Sequence, residues 1–314
     1  QGTAFTGEGV IVGIYDSGID WTHPDFRHED GTTRILLLWD QTVTDQPSRA
    51  PAEYGYGAVY TAADINSELT GSSSGVVQGR DVWGHGTHIS GIAAGNGRAA
   101  ANGKQTGVYK GVAPDADLII VKGGDRYFYT DKIIDGLTYI FEQAEGFSQP
   151  CALNLSVGTT HYGPHDASSE FESALDGLTG QGRVVVVPAG NDGSRNIHFS
   201  AHQLPAEITI TVGQNNQSIE DYLRINIWSN DNSEYDNLEN ISLKIIPPSG
   251  HAFGPVAPNS LESRQDEEGY VYVDNFNGGP AGNGDNETLI RLGDYYTGGE
   301  LQNNALLLVD GTLD

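Results

Sequence analysis

Residues 81–95 read DVWGHGTHISGIAAG, a loop of small residues followed by a small and apolar run. The run predicts a helix that begins near His85, and its glycines and alanines leave little bulk on the face that packs against a sheet. Such a helix presents the His85 imidazole at its first turn, a suitable place for a general base. The alternative is that glycine and histidine occupy an ordinary surface turn.

The flanking sequence alternates between strands and helices. Apolar runs rich in β-branched residues predict buried strands at 10–15, 116–122, 151–157 and 183–187, and helical spacing of apolar residues predicts helices at 131–147 and 168–178. This alternation predicts an α/β fold, a doubly wound parallel sheet with helices on both faces. Residues 35–39 are a further candidate strand, and the region after Asp45 is expected to be a long surface loop.

The pattern changes after residue 196. Short alternating segments separated by Asn, Asp, Gly and Pro follow at 207–212, 223–228, 241–246, 270–273, 288–292 and 304–309. Regularly spaced short strands with turn residues between them predict an antiparallel β-sandwich. We therefore expect two domains, an α/β domain over 1–196 and a β-sandwich over 197–314.

Composition limits the function classes. The 314 residues include 42 acidic and 16 basic side chains, a formal net charge of -26, which disfavours nucleic acid and anionic membranes as partners. The sequence has no apolar run of about 18 residues, so no membrane span is expected. The single cysteine, Cys151, is expected to be a buried strand residue, with a thiol nucleophile as the alternative. The chain contains no methionine and begins at Gln1, which suggests a processed or trimmed piece of a longer protein.

Three polar residues follow predicted strands or loops: Asp16 in Asp-Ser-Gly, His85 in Gly-His-Gly-Thr-His and Asn191 in Ala-Gly-Asn. An acid that orients a histidine, a histidine that takes a proton and an amide that stabilises an oxyanion are three parts of acyl-transfer chemistry. Asp16 could equally be a turn former at a strand end. The fourth part, a nucleophile, is missing from this set.

These motifs, in this order over about residues 7 to 193, resemble the subtilisin-like serine peptidases, the subtilases. The resemblance implies that Asp16 is the triad acid, His85 the general base and Asn191 the oxyanion donor.

The same resemblance assigns substrate binding and a metal. It implies that the turn Ser156, Val157 and Gly158 lines the substrate pocket. It also implies that Asp25 is a calcium ligand, for which a solvated loop carboxylate is the alternative.

The function implied is a serine endopeptidase that hydrolyses polypeptide substrates by a Ser-His-Asp mechanism. The chemistry requires no cofactor, a structural calcium ion is the one metal implied, and the expected location is extracellular or in the cell envelope. The family's nucleophile sits in a Gly-Thr-Ser segment that opens a helix, and this sequence contains no such segment.

The β-rich segment resembles a jelly-roll insertion found in some subtilases, which places the expected serine beyond Asp314, in a removed or cleaved part or in a second chain. The chain alone is therefore expected to be inactive. The alternative is a non-catalytic subtilase-like protein that binds peptide or protein partners.

Other patterns leave alternatives open. His88 with Asp81 could bind zinc, against a packed and hydrogen-bonded histidine. The oxygen-rich segments 229–234 and 278–287 could bind calcium, against ordinary turns. A group of aromatic residues could either bind carbohydrate or pack across neighbouring strands: Trp228, Tyr270, Tyr272, Tyr295 and Tyr296.

Overall fold

The computed structural model describes residues 5–99, 106–158, 167, 169–194, 197–199, 206–210, 222–228, 241–246, 250–257, 259–266, 269–276, 287–293 and 305–311. The chain divides into two compact units. The first comprises Gln1–Gly158 and Ser173–Gly190, and the second comprises Thr159–Glu172 and Asn191–Asp314. Among the helices of the described residues, none combines the length and apolarity needed to cross a membrane.

A six-stranded sheet organises the first unit. Its strands, in chain order, are β1 (Ile11–Asp16), β2 (Ile35–Asp40), β3 (Ala58–Thr61), β4 (Asp117–Lys122), β5 (Cys151–Leu155) and β6 (Arg183–Val186). Their spatial order is β3-β2-β4-β1-β5-β6, and every neighbouring pair is parallel except β2 with β3. The central strand β1, IVGIYD, is buried along its whole length, as a parallel strand covered on both faces must be.

Helices cover both faces of this sheet. They are α1 (Ala62–Leu69), α2 (His85–Ala94) and α3 (Thr130–Gly146), whereas α4 (Glu170–Leu178) follows β5 in the chain and buries none of its residues. Val12 and Ile14 of β1 pack in one core cluster with Ala94 of α2, while Gly13 faces Ile140 of α3 on the other side. The predicted doubly wound α/β architecture is confirmed.

The expectation of a long surface loop after Asp45 is wrong for residues 58–69, which form β3 and α1. Thr61 caps α1 in a reciprocal capping box with Asp64, and this pattern is visible in the sequence. The helix buries a single apolar side chain, Ile65, so its apolar periodicity is too weak to reveal it.

A buried arginine ties three segments of the first unit together. Arg34, only 2% exposed, donates to the carbonyl oxygens of Ala94 at 2.8 Å, Asp25 at 3.1 Å and Ala116 at 3.1 Å. Burial lowers the pKa of Arg34, but the carbonyl partners satisfy a guanidinium that stays charged in proteins. The loop before β2, the end of α2 and the turn before β4 are thereby held in fixed positions.

The second unit contains two four-stranded antiparallel sheets. Their strands are β7 (Ala206–Ile210), β8 (Tyr222–Trp228), β9 (Ile241–Ile246), β10 (Phe253–Val256), β11 (Ser260–Asp266), β12 (Gly269–Phe276), β13 (Glu287–Gly293) and β14 (Ala305–Gly311). The strand orders are β10-β9-β14-β7 and β11-β12-β13-β8.

The two sheets of the second unit share one core. Leu243 and Phe253 of the first sheet cluster with Val273 and Ile290 of the second, which confirms the antiparallel sandwich. The sequence analysis does not predict strands β10 and β11. Strand β11 reads SLESRQD, which has little alternation of apolar and polar residues. The predicted domain boundary at 196/197 stays a prediction, whereas the second unit begins its main segment at Asn191.

Candidate active site

Asp16 ends β1 at the carboxyl edge of the sheet, the edge at which open α/β sheets build their sites. Its side chain is fully buried, and Oδ1 accepts a 2.7 Å hydrogen bond from the backbone N–H of Ser17. Oδ2 is also buried and has no hydrogen-bond partner among the described residues. A carboxylate this enclosed has a strong need for a donor.

His85, the first residue of α2, supplies a donor to the other oxygen, Oδ1. Its Nδ1 lies 2.7 Å from Asp16 Oδ1, and its side chain is one-third exposed, so one edge of the ring reaches solvent. Because a carboxylate can only accept, Nδ1 carries the proton and the neutral ring keeps a free lone pair on Nε2. Two of the predicted site residues therefore meet in the geometry of an oriented general base.

Glycines make this approach possible. A Cβ on Gly86 would collide with the carbonyl oxygen of Gly18, so a glycine is required for α2 to lie this close to the end of β1. Gly84, the residue before α2, has φ of 87°, a left-handed conformation that glycine adopts without strain. The Gly-His-Gly pattern thus serves the placement of the imidazole.

Asp81 holds the loop that carries His85. Its Oδ1 accepts from the Ser17 hydroxyl at 2.9 Å and from the Gly84 N–H at 2.7 Å. Its Oδ2 accepts from the Thr87 N–H at 2.8 Å and the Thr87 hydroxyl at 2.7 Å. Burial alone would raise the pKa of Asp81, but these hydrogen bonds outweigh it and lower the pKa below its ordinary value.

Ser17 completes the support. Its hydroxyl accepts from the Gly86 N–H at 3.0 Å while it donates to Asp81. The N–H groups of Gly84, Gly86 and Thr87 at the start of α2, which have no partner inside the helix, therefore donate to Ser17 or Asp81. Sequence reasoning missed both roles; the signal for Asp81 was an acidic residue just ahead of a predicted helix start.

The zinc alternative at His88 and Asp81 gains no support, because both carboxylate oxygens of Asp81 already accept hydrogen bonds. His88 is exposed on α2. Within the described residues there is no group of three His, Cys, Asp or Glu side chains that could hold a metal ion.

Asp25, the predicted calcium ligand, lies in the 3₁₀ turn Pro24–Phe26. Its Oδ1 accepts a 2.6 Å hydrogen bond from the Ala99 N–H, in the segment after α2, and its carbonyl accepts from the Asn96 N–H. The carboxylate therefore joins two loops through hydrogen bonds. Its role as a metal ligand stays a prediction.

The remaining predicted residues occupy the following positions. Ser156, Val157 and Gly158 follow β5 at the carboxyl edge of the sheet, and the Ser156 hydroxyl accepts from the Asn154 amide at 2.9 Å. Asn191 is exposed and belongs to the second unit, directly after the left-handed Gly190. Their roles in substrate binding and oxyanion stabilisation stay predictions.

Cys151 is buried at the start of β5, and burial raises the pKa of its thiol to about 12. Such a thiol stays protonated at neutral pH, which argues against a nucleophile and for the structural interpretation.

Tyr270 and Tyr272 form a stacked pair on β12 with ring centroids 6.4 Å apart, an arrangement that fits packing along the strand. Tyr295, Tyr296, the Trp228 side chain and the segments 229–234 and 278–286 lie outside the described residues.

Comparisons with known proteins agree with this geometry. Residues 7–279 match the sequence profile of the Subtilase family. A subtilisin of Bacillus sp. (strain TA39) is 30% identical over 189 residues, which cover 60% of this chain and 35% of the relative. The major intracellular serine protease of Bacillus subtilis (strain 168) is 26% identical over 236 residues, covering 73% of this chain and 57% of the relative.

A solved structure extends the likeness to both units. The Clostridium perfringens CspB protease superposes with a TM-score of 0.67 and 26% sequence identity over 98% of this chain and 60% of that protein. The chain thus spans between about a third and three fifths of the length of these relatives. The profile match covers most of the sequence and includes the paired Asp16 and His85, so the chain belongs to the subtilase family.

Proposed function

We propose that this chain is the part of a serine endopeptidase that supplies the acid and the general base. The observation that carries the proposal is the 2.7 Å contact between the buried Asp16 carboxylate and the Nδ1 of His85. Membership of the subtilase family supports peptide-bond hydrolysis as the reaction, and a polypeptide as the substrate.

In the proposed mechanism, a serine outside this chain attacks the scissile carbonyl carbon while Nε2 of His85 takes its hydroxyl proton. Asp16 holds the ring through Nδ1 and stabilises the imidazolium that forms. His85 then gives the proton to the leaving amine, and the peptide C–N bond breaks to leave an acyl-enzyme. His85 then takes a proton from a water molecule that attacks the ester, and it gives this proton to the serine oxygen as the ester C–O bond breaks and the acid product leaves.

We assign the remaining parts of the site by the same proposal. Asn191, with backbone N–H groups, stabilises the tetrahedral oxyanion, and residues 156–158 bind the substrate near the scissile bond. A calcium ion at Asp25 would be structural. We place the protein outside the cell or in the envelope, and fractionation of the cells that make it tests this; recovery in the cytoplasm, where one relative is named as intracellular, would overturn it.

The experiment that tests the function is labelling of the natural gene product with a fluorophosphonate probe, followed by intact-mass analysis and peptide sequencing. We expect the label on a serine that follows Asp314 in the same polypeptide or lies on a co-purifying fragment. Asp16→Asn and His85→Gln variants should label far more slowly, since the serine loses its base.

A second candidate follows from one observation, the absence of a Gly-Thr-Ser segment from these 314 residues. It is a non-catalytic subtilase that binds peptides or proteins at the same site. A natural product that never labels, yet retains a peptide in an equilibrium binding assay, would establish this candidate and overturn the peptidase.

A further inference from the structure

Trp83 lies two residues before His85 and contacts its ring. The indole and the imidazole are nearly parallel, at 16°, with centroids 4.8 Å apart. The other ring pairs described in the first unit are tilted by 45° to 76°, as aromatic pairs in a packed core commonly are. The stacked geometry therefore marks a specific relation between these two rings.

The backbone fixes this relation. The Trp83 N–H donates to Asp81 Oδ1 at 3.1 Å, and the left-handed Gly84 between the two residues turns the chain so that both rings lie on the same side. The Arg126 guanidinium carbon lies 5.9 Å from the indole ring centroid, within the range of a cation–π contact. Trp83 is thus held from its own backbone and from the loop that follows β4.

Core burial does not explain the indole. Trp83 is 44% exposed, whereas Trp21 and Trp39 of the same unit are 3% and 0% exposed. Because the Trp83 side chain is nearly half exposed and its face lies against an ionisable ring, its contact with His85 explains its position better than burial does.

We propose that Trp83 is a positioning residue whose indole face holds the plane of the His85 ring and lies against the imidazolium when it forms. The proposal rests on the proposed function for its catalytic meaning, since the imidazolium forms when the serine loses its proton. Asp16 orients the ring through one nitrogen, and a bond to a single atom still permits the ring to tilt about it. The indole face removes that freedom, and its negative π-surface stabilises a cation that lies against it.

The charged groups around His85 come from four elements. Asp16 contacts its Nδ1 from β1, Asp81 accepts from the adjacent Gly84 N–H, His88 follows three residues later on α2, and Arg126 contacts the Trp83 ring from the loop after β4.

The first test uses this chain and its tryptophan fluorescence, because a protonated imidazole stacked on an indole quenches its emission. The protein is titrated from about pH 8 to about pH 5, the range in which imidazoles gain a proton. We expect emission to fall as the pH falls, and this transition to disappear in both Trp83→Phe and His85→Gln. Circular dichroism of each variant confirms that it is folded.

A transition that persists unchanged in Trp83→Phe, or that is absent from the unmodified chain, would overturn the proposal. These outcomes do not depend on whether the protein hydrolyses peptides, so they are distinguishable from a failure of the proposed function.

The second test uses the natural product that contains the reactive serine. Trp83→Leu keeps apolar bulk and removes the π-face, so we expect kcat to fall about 5- to 30-fold with KM little changed. Trp83→Phe should restore most of the rate. Phe147→Leu is the matched control, because Phe147 is 45% exposed and follows α3 at the opposite edge of the sheet. Equal rates in Trp83→Leu and Trp83→Phe would contradict the role of the aromatic face, and a product with no activity at all would instead refute the peptidase.

Discussion

Asp81 shows how a residue outside the predicted triad decides the position of the base. It joins the loop before α2 to Ser17 and Thr87 through charge-assisted hydrogen bonds of 2.7–2.9 Å. In Asp81→Asn, one oxygen becomes an N–H donor that faces other donors. We expect the free energy of unfolding to fall by about 1–3 kcal/mol, measured by urea denaturation.

Asp30→Asn is the control for that substitution. Asp30 also accepts from a nearby threonine, Thr32, at 2.6 Å and 2.9 Å, but it lies in an exposed turn. Because this turn is exposed, we expect no measurable change in the free energy of unfolding. An equal loss of unfolding free energy in the two variants would show that the hydrogen bonds of Asp81 stabilise the fold no more than those of an exposed turn.

The same residue predicts a pH dependence. The native pKa of Asp81 is lowered, so its ionised form stabilises the fold at pH values above the ordinary aspartate pKa of about 4. That contribution is lost as the pH falls from there through the native pKa. We therefore expect the difference in melting temperature between the unmodified chain and Asp81→Asn to shrink when the pH is lowered below about 4. A difference that grows with acidification would contradict the lowered pKa.

The sequence predicts the residues proposed for the chemistry better than the residues that hold them in place. Asp16 and His85 could be found because each follows a recognisable strand or opens a recognisable helix. Ser17 and Trp83 could not, because their partners in space depend on how closely α2 approaches β1 and how Gly84 turns the chain.

Among the elements, α2 permits a sharp test of close packing. In Gly86→Ala the new methyl group would meet the Gly18 carbonyl oxygen, so α2 must move away from β1. We expect a loss of about 1–3 kcal/mol in unfolding free energy. The His85–Asp16 contact should also lengthen, and the NMR signal of the hydrogen-bonded Nδ1 proton should move upfield.

Gly91→Ala, on the same helix, is the matched control. Apart from the helix itself, no described residue lies within 4 Å of a Cβ built there, so the substitution should be neutral or stabilise by up to about 1 kcal/mol. If both alanines had the same effect, helix propensity rather than contact with β1 would explain the result.

Elements with strong apolar patterns are the ones the sequence predicts. The buried strand β1 and the amphipathic α3 stand out, since their periodicity comes directly from burial. By contrast, α1 has one buried apolar residue and β11 is largely polar, so tertiary contacts determine their structure.

For the whole molecule, charge is the dominant property. The formal net charge is -26, so the excess acidic side chains repel one another in the compact state and destabilise it. We expect the melting temperature to rise between about 10 mM and 150 mM NaCl, as the Debye length falls from about 30 Å to about 8 Å. Glucose at the same osmolality should produce a smaller rise, and a fall with added salt would contradict the repulsion.

The two-unit organisation is visible in the sequence because the spacing of apolar residues changes after the β6 strand. The boundary itself is less visible: the structure assigns 159–172 to the second unit, although these residues lie between β5 and β6 in the chain. The unit to which such a segment belongs depends on its contacts in the folded chain, and no local sequence pattern predicts those contacts.

The tie formed by Arg34 has a consequence for the environments in which the first unit can work. It behaves as a non-covalent cross-link between segments that are up to 82 residues apart along the chain. A disulfide would provide a similar constraint, but this chain contains one cysteine, and it is buried. Because a guanidinium is neither oxidised nor reduced, this cross-link holds equally under reducing and oxidising conditions. The contribution of Arg34 to the stability of the first unit is therefore independent of the redox potential of the surroundings.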